Sequence, residues 1–168
     1  LLSSGDHIIA SPDVYGGTYG LLTEDLPRFG IEVTMADIRD PSSYEAAIKE
    51  NTKIIYVETL TNPVLKVCDL DAMADIANRH NLISVVDNTF ASPWGCRPIK
   101  HGFDLVIHSG TKYLGGHSDL IAGFVAGKKE LIAQIFPKKV HFGGAADPHM
   151  CCLLYTSPSP RDRTRSRM

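Results

Sequence analysis

Short runs of β-branched and apolar residues alternate along the chain with stretches of helical period. Residues 7–10 (HIIA), 31–35 (IEVTM), 53–57 (KIIYV), 82–86 (LISVV) and 105–108 (LVIH) read as strands. Residues 121–126 (IAGFVA) are a candidate sixth. Between them, residues 69–80 carry Leu70, Met73, Ala74 and Ala77 at i, i+3, i+4 and i+7, one face of a helix. Ser42 and Glu45 have the spacing of a capping box, and with Pro41 before them they predict the start of a short helix. Strands that are apolar along most of their length, joined by helical crossovers, predict an α/β fold. The expected architecture is three-layer, a mostly parallel sheet covered on both faces. No internal repeat competes with this reading.

Composition narrows the class without naming it. The chain has 168 residues, enough for one domain with a real core, and its 43% apolar and 21% charged content is ordinary for a globular protein. A net charge of −2 offers no basic excess for nucleic acid. No apolar run approaches the ~18 residues of a membrane span, and no secretory signal is evident. Cys68, Cys96, Cys151 and Cys152 lack CxxC spacing and read as thiols in a reducing compartment, so a cytoplasmic location is expected. The chain opens on Leu1 in mid-pattern and reads as a fragment, with native-type sequence over residues 1–151. Residues 152–168 change character, with Pro158, Pro160, four arginines and no apolar period. They read either as a disordered basic tail or, preferably, as a non-native one, because CLLYTSPSPRD resembles translated read-through into a sequencing adapter.

The chemistry gathers at strand ends. Glu58 and then Asn62 follow the third strand, Asp87 and Thr89 the fourth, and Ser109, Thr111 and Lys112 the fifth. Ligands of open α/β sheets bind outside these carboxyl ends. In HSGTKYLGGHSD, Lys112 is surrounded by small and neutral residues, and no acid stands within six positions of it. Burial there would lower its pKa and free an amine for a Schiff base with an aldehyde such as pyridoxal phosphate. That cofactor also needs a carboxylate for its ring nitrogen, hydroxyls for its phosphate and a flat partner for its ring. Asp87, Ser109, Thr111 and Tyr15 can supply these, the last because Gly16 and Gly17 allow close approach. Singly, each has a plainer reading: a solvated lysine, a turn aspartate, two hydroxyls in local turns, a glycine turn. His101, His108 and His117 lack the spacing of a metal motif, and no metal is expected; His108 reads as part of its strand and His117 as part of the loop's hydrogen bonding. A dinucleotide-binding module is the alternative of another class, but SPDVYGGTYG after the first strand does not fit GxGxxG.

Together these stretches resemble a family. DLVIHSGTKYLGGHS (residues 104–118) is similar to the lysine signature of the Cys/Met-metabolism, or trans-sulfuration, pyridoxal phosphate enzymes. VVDNTFASP (85–93), GDHIIASPDVYGGTY (5–19) and VETLTNPVLKV (57–67) match the same family in order. The resemblance covers residues 1–151 and implies the central part of the large domain of the aspartate-aminotransferase-like fold, fold type I. It implies a catalytic Lys112 that carries the cofactor and shuttles protons from the substrate α-carbon. Tyr15 would stack on the ring and assist the leaving group. Asp87 would bind the ring nitrogen with Thr89 close by, Ser109 and Thr111 the phosphate, and Asn62 the ring hydroxyl, while Glu58 supports that corner.

The reaction so implied is β/γ-elimination or γ-replacement on cystathionine, homocysteine- or methionine-type amino acids, or O-acylhomoserine. Cystathionine γ-synthase or γ-lyase is the preferred member, with O-acetylhomoserine sulfhydrylase or methionine γ-lyase as alternatives. Gly17 argues against methionine γ-lyase, which often has cysteine there. Family members assemble as tetramers built from dimers, and the partners would be a small amino acid and further copies of the chain. The family's phosphate-binding turn, its N-terminal tyrosine and arginine and its C-terminal domain have no counterpart in these residues. The isolated piece is therefore expected to be catalytically incompetent, whatever its parent does.

Overall fold

The structure, a computed structural model, describes residues 1–156. Most of the segment 152–168 singled out in the sequence lies outside the described residues, and its first five positions fall within the last helix.

All six anticipated strands form. β1 (His7–Ala10), β2 (Glu32–Met35), β3 (Thr52–Glu58), β4 (Ile83–Asp87) and β5 (Leu105–Ser109) run parallel. β6 (Gly123–Gly127) lies antiparallel to β5 at one edge, giving the order β2-β1-β3-β4-β5-β6. β6 starts later than the apolar run because Ala122 is held in the preceding loop, where its carbonyl accepts from Gly110 N at 2.7 Å.

The helices are α1 (Gly16–Gly20), continued by a π-helical turn (Leu21–Asp25) and α2 (Leu26–Arg28), then α3 (Pro41–Ala46) and α4 (Leu70–Arg79). α5 (Ser92–Gly95), α6 (Lys129–Phe142) and α7 (Pro148–Thr156) follow.

Alternation along the strands divides the core into two, which makes the molecule three-layered. On one face Ile9, Ile55, Val57, Val86 and Val106 pack with Tyr44 of α3 and with Met73, Ala74 and Ala77 of α4. On the other, Ile8, Ala10, Ile54, Tyr56, Val85 and Leu105 pack with Leu22 and with Leu131, Ile132 and Ile135 of α6. The helical stripe read for residues 69–80 is thus the buried face of α4, whose Asp69 caps it by accepting from Ala72 N at 3.1 Å.

One local expectation is corrected. The cap of α3 is Asp40, whose Oδ1 accepts from Ser42 N at 3.1 Å, not Ser42. Pro41 fits the first helical position, which moves the cap one residue ahead of it. Glu45 is thereby released from the box and accepts from Arg79 and from His80, the latter at 2.8 Å.

Tyr44 is fully buried, and its hydroxyl is the one buried side-chain polar atom without a hydrogen-bond partner among the described residues. An unmade buried hydrogen bond costs about 1–3 kcal/mol. Tyr44→Phe is therefore expected to stabilise the fold by about 1 kcal/mol, read as a higher urea midpoint at unchanged slope.

The topology opens the molecule at one place. The loop leaving β1 leads toward β2 on one side and the loop leaving β3 leads toward β4 on the other, so the two diverge into a crevice between β1 and β3. At the opposite end β4 and β5 are locked by buried Asp104, whose Oδ2 accepts from Ser84 N at 2.8 Å and from Ser84 Oγ at 3.0 Å.

Candidate active site

A cavity of about 1260 Å³ lies outside the carboxyl ends of β3, β4 and β5. All eight residues singled out in the sequence line it: Tyr15 after β1, Glu58 and Asn62 at and after β3, Asp87 and Thr89 at and after β4, and Ser109, Thr111 and Lys112 at and after β5. Glu58 and Asp87 are the last residues of their strands and pair in register across the ladder.

Each acid is held by its own set of donors. Asp87 Oδ1 accepts from Thr89 N at 2.9 Å and from Thr89 Oγ1 at 2.5 Å. Thr89 Oγ1 accepts in turn from Ser109 N at 2.7 Å, so the ends of β4 and β5 are tied through one hydroxyl. Asp87 Oδ2 takes no hydrogen bond from the described residues, which leaves a fixed carboxylate with one oxygen available.

Glu58 is 4% exposed and accepts two backbone N–H groups, from Tyr15 at 2.8 Å and Asn62 at 3.1 Å. Burial, with the charge of Asp87 adding to it, pushes its carboxyl up to about 7 against those two donors. Its ordinary value is 4.5, so between the two the folded chain holds a proton that the unfolded chain has released. The stability this contributes is full below about pH 4.5 and fades as pH rises through about 7. The loss amounts to about 3 kcal/mol. Urea denaturation at about pH 5 and about pH 8 is expected to show that difference in the native protein and a smaller one in Glu58→Gln. A stability that instead rises with Glu58 ionisation would contradict the sign.

The loop from β5 departs from expectation at Lys112. Lys112 is exposed rather than buried, because the small residues around it leave its side chain uncovered at the cavity wall. It also breaks the helical turn Gly110–Leu114, with φ −95° and ψ −123°. Thr111 Oγ1 is engaged with Ala122, accepting from its N at 3.1 Å and donating to its carbonyl at 3.4 Å. The three histidines are not brought together. His108 lies in β5, His117 Nδ1 donates to the Gly115 carbonyl at 3.1 Å, and His101 pairs with Asp71 at 2.7 Å.

Sequence reasoning passed over Asn88. It is fully buried, accepts from Thr59 Oγ1 at 2.7 Å and donates to the carbonyls of Ser92 at 3.1 Å and Cys96 at 2.9 Å. It therefore fixes the loop carrying Thr89 to the end of β3. Phe90 and Tyr113, in edge-to-face contact at 6.5 Å, add an aromatic wall, and Met150 of α7 adds an apolar one.

The donor set suits pyridoxal phosphate. An amine stands on one wall, a carboxylate with an unpartnered oxygen on another, two hydroxyl-bearing residues flank the amine, and a half-exposed aromatic ring faces the same space.

Comparison with known proteins agrees. Residues 1–156 match the family model described as Cys/Met metabolism PLP-dependent enzyme. The chain is 49% identical to an L-methionine gamma-lyase of Porphyromonas gingivalis over 135 residues, 80% of this chain and 34% of that protein. It is 47% identical to a cystathionine gamma-lyase of Bacillus subtilis over 155 residues, 92% of this chain and 41% of that protein. The crystal structure of a cystathionine gamma-lyase from Lactobacillus plantarum, complexed with L-serine, superposes with a TM-score of 0.88 at 45% identity, covering 91% of this chain and 40% of that one. The chain spans about a third to a half of the length of such relatives. Its signature, its sheet and its match over residues 1–156 make this chain a member of the Cys/Met metabolism PLP-dependent enzyme family, with the fold type I architecture.

Proposed function

We propose that the protein from which this chain comes is a pyridoxal phosphate enzyme of sulfur amino-acid metabolism, acting by β/γ-elimination or γ-replacement on cystathionine, methionine- or homocysteine-type amino acids, or O-acylhomoserine. The observation that carries this is the convergence of Lys112, Asp87 and Tyr15 on one cavity at the strand ends. Bound pyridoxal phosphate supplies an electron sink conjugated to the substrate α-carbon. The chain's residues do the rest. Lys112 Nζ holds the cofactor and moves the proton at the α-carbon. Asp87 Oδ2, aimed by Thr89, holds a proton at the ring nitrogen. Ser109 and Thr111 bind the phosphate, Asn62 the ring hydroxyl, and Tyr15 lies against the ring face and serves the leaving group with its hydroxyl.

Gly17 fits that role for Tyr15. A Cβ there would stand 2.7 Å from Tyr15 Cε1, so only glycine leaves the ring where it is. Gly17→Ala is expected to leave stability within about 1 kcal/mol, since alanine is the better helix former, and to weaken cofactor binding roughly 2- to 10-fold through lost stacking. Equilibrium dialysis of both forms checks it.

The preferred activity remains that of a cystathionine γ-synthase or γ-lyase. Similarity to a probable cystathionine gamma-synthase of Herpetosiphon aurantiacus, 42% over 155 residues, supports it, while the methionine gamma-lyase likeness keeps the alternative open. Residues 1–151 form part of the cofactor-binding large domain in this reading. Free cysteines suit a cytoplasmic protein. Exposed apolar residues on β6 and α6, among them Val125 and Phe136, suit burial in a homotetramer. Assaying the full-length protein on cystathionine, methionine and O-acylhomoserine in parallel tests the proposal. Turnover of at least one, with loss of the β- or γ-substituent, is expected, and transamination alone would overturn it.

A further inference from the structure

We propose that Glu58 is a positioning residue that sets Tyr15 and Asn62 in one fixed relation by taking a backbone N–H from each on its two carboxylate oxygens. The inference rests on the cofactor reading above and assigns Glu58 no contact with the cofactor. Tyr15 belongs to the loop leaving β1 and Asn62 to the loop leaving β3, the two that diverge at the crevice. Glu58 sits where they part, with its backbone fixed in the ladder opposite Asp87. Its Oε1 accepts from Tyr15 N at 2.8 Å and its Oε2 from Asn62 N at 3.1 Å. A buried acid beside another acid is a costly choice for a merely structural position. Two separate donors, however, require a side chain with two acceptor oxygens, and glutamine has only one. The loops are also joined farther out, where Lys66 Nζ meets Asp13 Oδ2 at 2.5 Å. That outer pair is a built-in control, since it ties the same loops without touching either amide.

The charged and titratable groups that face Glu58 are Asp87 on β4, Tyr56 on its own strand and Tyr15 on the loop after β1, with Lys112, Tyr113 and Asp119 lining the same cavity. Selective ¹⁵N labelling of tyrosine and of asparagine in the full chain, without cofactor, follows both amides through a pH titration. The Tyr15 and Asn62 signals are expected to move together with one midpoint near 7. Glu58→Gln should abolish both movements, and Lys66→Met should leave them in place. Different midpoints for the two amides in the native sequence would overturn the assignment, whether or not Glu58→Gln folds. So would titration that persists in Glu58→Gln. Because no cofactor is present, this outcome is independent of labelling at Lys112, which tests the functional reading itself.

Discussion

Asp87→Asn is expected to weaken pyridoxal phosphate binding about 10- to 150-fold, the equivalent of one charge-assisted hydrogen bond of about 1.5–3 kcal/mol. Asparagine keeps an oxygen for Thr89, whose N and Oγ1 both bond Asp87 Oδ1, so the loop should hold its shape. What is lost is the anionic oxygen toward the cavity, and with it the reason for a ring nitrogen to stay protonated. Titration of the chain with the cofactor, followed by absorbance, gives the dissociation constants. Equal affinity for the two forms would mean that Asp87 is a turn acid and no more.

Lys112→Ala should have the larger consequence for catalysis. In the proposed reading it removes both the covalent attachment and the amine that moves the α-proton. The proton transfer alone is worth roughly 10²–10⁴-fold. In the full-length enzyme the expected loss of turnover is at least that, with the fold intact because Lys112 is exposed. Lys112→Arg should not rescue it, since a guanidinium cannot be deprotonated in this range. A variant that retains turnover would show that another amine carries the cofactor.

The sheet was legible because its strands are apolar runs whose ends are marked by polar residues. HIIA and LVIH, each lying next to an edge strand, admit little else, and the acids Glu58 and Asp87 stand at the ends of the two central runs. The helical segment 16–28 was harder to read. Its three glycines and Pro27 argue locally against a helix, and it forms because Leu22 and Leu26 pack on the sheet. Pro137 hides α6 in the same way, although Leu131, Ile132 and Ile135 give it a core face. Ser42 and Glu45 had the right spacing for a cap, but Asp40 before Pro41 was better placed.

Within the site, residue types and strand ends located eight of the residues that line the cavity. The links between them were not legible, because they run through backbone groups. The Thr89 bridge to Ser109 N, the Glu58 clasp on two amides and the Asn88 hold on two carbonyls leave no trace in spacing. Exposure of Lys112 was hidden for a similar reason, since small neighbours indicate room without saying whether anything fills it.

The central claim is that Lys112 is the attachment point. Loading the chain with pyridoxal phosphate, reducing it with borohydride and mapping the peptides by mass tests this most directly. The cofactor is expected on the peptide that contains Lys112, and is expected to disappear from that peptide in Lys112→Ala. A label on any other lysine, or none on a folded and loaded chain, would contradict it.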